Sequence, residues 1–223
     1  MVRSLHLCPA AVVGLVMAVG VVGWALAAGA ADGYALDPAH TSATFRIEHM
    51  GISWVSGRFD EASGKCEIDK ADPAKSAFEM TIKAASVDTN NAQRDEDLRS
   101  PNFFNAKQFP EMTFKSTSVK KAAATRPSAQ GAATQPAKED AKSPPADAGA
   151  AYEVTGDFTM HGVTKPLTFI LRGGKEAELP KGVQRIGFFG EFSLKRSDYG
   201  MDKLPGAVGD QVKIAVSIEA VKQ

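Results

Sequence analysis

Side chains that alternate apolar and polar with a period of two recur along most of this chain, and that period leaves few folds open to it. Ala43, Phe45, Ile47 and His49 face one way, while Ser42, Thr44, Arg46 and Glu48 face the other. The same grammar returns at Val55, Gly57 and Phe59, at Gly64, Cys66 and Ile68, and at Phe78, Met80 and Ile82. It is clearest in the second half, at Tyr152 to Met160, Leu167 to Leu171, Ile186 to Leu194 and Val212 to Ile218. Short runs with one apolar face, bounded by Gly, Pro, Asp or Ser, are the signature of antiparallel strands joined by turns, and His161-Gly162 is such a turn. About eight strands of this kind must stack as two sheets or close on themselves. Glycines within the apolar faces, at 57, 64, 156 and 190, favour closure, since strand glycines mark bends and close approaches. The expected fold is all-β: an antiparallel barrel whose interior holds side chains or one slim ligand.

The segment from Ser86 to Phe114 breaks the pattern. Asn90 is placed to cap a short helix with Gln93 three positions on, and Pro101 stops it. Phe103, Phe104 and Phe109 follow within a few residues, and aromatics so concentrated need burial against the strands. This segment reads as a plug or lid on the barrel end. Two other stretches stand outside the strand grammar. Lys121 to Ala150 has no aromatic side chain and no aliphatic one larger than Ala, too little apolar surface to offset ordering entropy, so a disordered insertion between strands is expected. Residues 1–31, with an uncharged run from Ala10 to Ala28, read as a secretory signal peptide ahead of a barrel domain at 32–223; the alternative is an uncleaved membrane anchor.

Chemistry is sparse. Formal net charge is zero, which implies no nucleic-acid surface. Of the two cysteines, Cys8 falls in the leader and Cys66 shares a strand face with Ile68, so no internal disulfide is expected and Cys66 is a structural thiol. His40, His49 and His161 are far apart, without metal-ligand spacing, and no metal or cofactor is expected. The sequence contains no Gly-x-Ser-x-Gly, no His-Glu-x-x-His and no phosphate-binding glycine loop, and a non-enzymatic role is expected. Arg94 and Asp95 have two readings: an ion pair that fixes the helix to the barrel rim, or contact between Arg94 and a ligand head group. His49, at the end of an apolar face, reads as a hydrogen-bonded polar residue at the barrel mouth and, if it points inward, as the best candidate for a polar ligand contact.

Four blocks in order resemble the YceI-like family of bacterial periplasmic proteins. They are Tyr34 to Phe45 with Glu48-His49-Met50-Gly51 and Ser56-Gly57-Arg58-Phe59; Arg94-Asp95 with Leu98 to Phe104 and Phe109-Pro110-Glu111; Gly156 to Pro166; and Lys195 to Met201. The resemblance implies a lipocalin-like barrel, exported to the periplasm, that carries or sequesters a long isoprenoid (polyprenyl or quinone-type) or fatty-acyl amphiphile in its lumen. The expected lining is Phe45, Ile47, Phe78, Met80, Ile82, Phe158, Phe169, Phe188, Phe192, Ile214 and Val216. His49, Arg94, Asp95, Phe103 and Phe104 are expected at the mouth or in the cap. Transient membrane contact belongs to that reading, and the oligomeric state, a homodimer included, is left open. The rival readings are a partner-binding barrel whose core fills itself and, third, an enzyme acting on the bound lipid.

Overall fold

The computed structural model describes residues 31–122 and 149–223; the expected leader, but for Ala31, and most of the expected insertion lie outside the described residues. The strands are β1 (Asp32–Leu36), β2 (Ser42–His49), β3 (Ser53–Phe59), β4 (Ala62–Ile68), β5 (Ala77–Lys83), β6 (Val87–Asp88), β7 (Glu111–Ala122), β8 (Ala150–Met160), β9 (Val163–Leu179), β10 (Val183–Lys195) and β11 (Val208–Lys222), with one helix, α1 (Ala92–Arg99), among the described residues.

Three staves of the barrel are broken in two. β1 and β2 follow one another along β11, Leu36 opposite Ala220 and then Ala43 opposite Val216. β3 and β4 likewise continue one another, pairing with β2 and β1 respectively. β5 lies on β4, and the two-residue β6 prolongs its path onto β3. With these pairs joined, the ring runs β1/β2, β3/β4, β5/β6, β7, β8, β9, β10, β11 and back to β1: a closed antiparallel barrel of eight staves, as the alternation implies. Closure leaves no exposed sheet edge except where β5 gives way to β6, and there the segment from Thr89 to Pro110 takes up the space.

The two ends differ. At the end holding both termini of the described barrel, Tyr34, Cys66, Val119, Val154, Leu171, Ile186 and Phe188 are packed together and almost fully buried. Tyr34 donates its hydroxyl to Glu176 at 2.7 Å, and Lys222 pairs with Asp32 at 2.9 Å. At the opposite end α1, the β8–β9 turn and the loop from Arg196 to Ala207 meet. His161 binds the Tyr199 carbonyl oxygen through Nδ1 at 3.0 Å and meets the Phe109 ring edge-on at 4.8 Å.

Several boundaries shift from the sequence expectation. Lys121 and Ala122 pair with Tyr152 and Ala151, so the strands reach into both ends of the expected insertion. Asn91, not Asn90, caps α1, accepting from the Arg94 amide at 3.0 Å. Asn90 instead adopts φ +59, a left-handed conformation that Asn tolerates better than most residues.

Candidate functional site

Inside the ring, between the packed end and α1, the inward faces leave a cavity of about 160 Å3 faced by apolar atoms alone. β2 contributes Phe45 and Ile47, β5 contributes Phe78, Met80 and Ile82, and β8 contributes Phe158. Phe169 on β9, Phe192 on β10 and Ile214 and Val216 on β11 complete the wall. From the cap come Leu98, Phe103 and Phe104, the last packed edge-on against Phe59 at 5.4 Å. An opposed pair, Phe169 and Phe192 with centroids 4.9 Å apart, shows that adjacent staves present their rings to one another across the wall.

Of the residues expected in the lining, Phe188 does not reach this space. It stands on the same face of β10 as Phe192 but nearer the packed end, where it meets Phe78 and Tyr152 edge-on at 5.2 and 6.3 Å. The polar mouth residues also fall elsewhere. His49 is half-buried at the end of β2 and does not line the cavity. Arg94 and Asp95 meet at Thr89 instead of pairing with each other. Asp95, buried, accepts from the Thr89 amide at 2.9 Å and its hydroxyl at 2.6 Å, while the Arg94 guanidinium donates to the Thr89 hydroxyl and carbonyl at 2.7 and 2.8 Å. Arg99 adds bonds to the carbonyls of Ala85 and Val87. These three side chains fasten α1 to the β5–β6 segment, and none of them faces the cavity.

Sequence reading missed much of the deeper lining, including Met112, Phe114, Met160, Leu194 and Met201. Met160 and Leu194 end strand faces already recognised as apolar, so the signal was present there, whereas Met112 and Phe114 stand on β7 where the sequence reading saw the strand pattern broken. Four methionines, Met80, Met112, Met160 and Met201, touch the space, and their unbranched side chains let the wall change shape cheaply. Arg196 also borders it, but its guanidinium donates to the carbonyls of Met201, Val208 and Gly209, pinning the loop that closes this end.

Two polar features lie outside the lumen. Asp37, His40 and Glu219 converge near the packed end, but the Arg185 guanidinium binds both carboxylates, so this cluster already holds its own cation. Hydrogen bonds from His40 and Arg185 and from the Ala39 amide hold the Asp37 carboxyl down at about 2. Cys66 is buried, and burial pushes its thiol up to about 12, which suits packing and not nucleophilic chemistry.

A closed eight-stave barrel with an apolar interior and a helix-bearing cap defines a β-barrel of the small, single-ligand size class. The chain belongs to the YceI-like family, whose domain model matches residues 34–220. It is similar to Protein YceI of Escherichia coli O157:H7, 34% identical over 184 residues that cover 82% of this chain and 83% of that protein. Burkholderia cenocepacia BcnA shares the fold with a TM-score of 0.64 at 21% identity, covering 82% of this chain and 98% of that one. A polyisoprenoid-binding domain from Saccharophagus degradans does so with a TM-score of 0.57 at 14% identity, covering 85% and 98%. No helix among the described residues is long and apolar enough to cross a membrane.

Proposed function

We propose that this chain binds and carries or sequesters a long isoprenoid or fatty-acyl amphiphile in the barrel lumen. The observation that carries this reading is the cavity itself: aromatic and aliphatic side chains from all eight staves and the cap surround it, and no polar atom faces it. At about 25 cal/mol per Å2, hiding several hundred Å2 of chain there is worth on the order of 10 kcal/mol before binding entropy is subtracted. The space is smaller than the roughly 300 Å3 at which ligand pockets begin, so a thin chain fits better than a fused-ring ligand, and the methionines must move aside for it. The description of the Saccharophagus degradans neighbour as polyisoprenoid-binding supports the same class. Export to the periplasm by the leader, and a role without catalysis, belong to this reading.

The rival is a barrel that fills its own core and acts only through partners. The packing of the terminal half, where Tyr34, Val154 and Phe188 leave no room, favours it there but not around Phe45, Phe192 and Ile214. Native mass spectrometry of the chain purified without added lipid, combined with titration of a fluorescent prenyl probe, separates the two. Co-purifying amphiphile or saturable probe uptake is the expected result; neither lipid nor probe bound would end the carrier reading.

A further inference from the structure

The largest exposed apolar side chains of the described residues are not scattered. Met50 and Ile52 form the β2–β3 turn, 60% and 82% exposed, and Trp54 follows on the outer face of β3 at 48%. Leu204, 56% exposed, projects from the loop that faces this turn, and the Met50 amide donates to Ala207 at 2.8 Å, tying turn and loop together. Both Met50 and Leu204 sit at left-handed φ, +54 and +56, a conformation that residues with a long Cβ-bearing side chain disfavour. The chain thus holds two greasy side chains in water by means of two strained turns, and such outliers cluster where function requires them.

The position of this patch gives it a use. Between the turn and the loop lies a shallow depression lined by Glu48, Gly51, Pro205 and Gly206, and Arg196 and Val208 border both it and the lumen. These two residues are the wall between the apolar interior and the outside at this end. The Arg46 guanidinium and the Lys213 ammonium lie over the Trp54 ring, 5.3 and 4.9 Å from its centroid, an aromatic body with cationic neighbours as found at membrane–water interfaces.

We propose that the β2–β3 turn and the 201–206 loop form a docking face for a lipid bilayer surface, setting the Arg196–Val208 wall against the membrane so that cargo enters and leaves there. Separate knobs on two turns match insertion between head groups better than the flat contact of a protein partner. Arg46, Lys213 and Lys203 on this face are offset by Glu48, Asp202 and Asp210, so it has no marked excess of cations, and docking is driven by apolar insertion; it survives about 0.5 M salt, where exposed charges are screened. The inference takes its purpose from the carrier reading, but its geometry stands alone.

Replacement of Trp24 by Phe in the full chain leaves Trp54 as the sole tryptophan. With vesicles of phosphatidylethanolamine and phosphatidylglycerol carrying brominated acyl chains, Trp54 emission is expected to shift blue and be quenched at low and high salt. In the Met50→Asn, Ile52→Asn, Leu204→Asn variant the quenching is expected to fall at least tenfold while prenyl-probe uptake stays unchanged. Asn accepts left-handed φ at two of these positions, so this variant should fold at least as well. Leu179→Asp with Val183→Asp, on the β9–β10 turn at the other end, should quench like the parent. The proposal is overturned if Trp54 is not quenched, if the triple variant is quenched equally, or if ultracentrifugation shows that the triple variant abolishes only a dimer. Quenching without probe uptake in the parent would instead remove the carrier reading and leave docking intact.

Discussion

Thr89 shows how the cap is held by atoms that carry no sequence signature. Its amide and hydroxyl go to Asp95, and its hydroxyl and carbonyl receive Arg94, so one small residue receives both charges. Asp95→Ala leaves the buried Thr89 amide without its acceptor and should cost about 1–3 kcal/mol, read as a lower melting temperature and as faster hydrogen exchange in α1 than in β9. Equal protection of α1 in both proteins would show that the clamp is dispensable. Asp37 governs a different property. Its carboxyl titrates near 2 in the folded barrel against an ordinary value near 3.8, so its contribution to stability is complete above about pH 4 and disappears as pH falls through 2. The melting temperature should therefore fall more steeply between pH 4 and 2 in the parent than in Asp37→Asn; parallel curves would show that the Arg185 cluster holds the β1–β2 kink to β10 and β11 without depending on this charge.

At the scale of single strands, the lumen can be blocked in more than one way, and glycine is the wrong place to begin. Gly156→Phe looks from the alternation like a clean plug, yet a Cβ there would stand 2.3 Å from the Lys115 carbonyl oxygen, so the substitution breaks the β7–β8 pairing instead of filling space. Ile214→Trp puts bulk into the cavity from β11, at an overpacking cost of about 1–3 kcal/mol. It should abolish prenyl-probe uptake while the far-ultraviolet circular dichroism of the barrel persists; undiminished uptake would move the ligand elsewhere. Period two told inside from outside on nearly every strand because the sheet pleat enforces it. It could not tell height, and Phe188 and Phe192, about 13 Å apart along one face of β10, belong one to the packed end and one to the lumen. Nor could it see that Asp37 to Thr41 is a kink within one stave and not a hairpin, since both interrupt the alternation alike. The cap was legible as an aromatic knot, with Phe103 and Phe104 facing the cavity, whereas the backbone carbonyls that take up Arg94 and Arg99 have no residue identity to read.

For the molecule as a whole, the ring has two long seams between its halves. β7 pairs with β8 from Thr113 opposite Thr159 to Ala122 opposite Ala151, and β11 pairs with β2 and then β1 along the other side. β7 ends at Ala122 and β8 begins at Ala150, both at the packed end, away from the lumen wall at Arg196 and Val208 and from the cap, and no pairing of the described barrel depends on the chain being continuous between them. The barrel is in this respect a two-piece object that happens to be encoded as one. Expressed as separate polypeptides broken between these two strands, the halves should find each other, co-purify and melt as a unit whose midpoint rises with concentration, because association is then part of folding. Halves that remain apart would mean that covalent linkage, and not the seams, brings the staves into register. Success would make prenyl-probe uptake a property that appears only on reassembly, since each half alone carries an open trough where the whole carries a lumen.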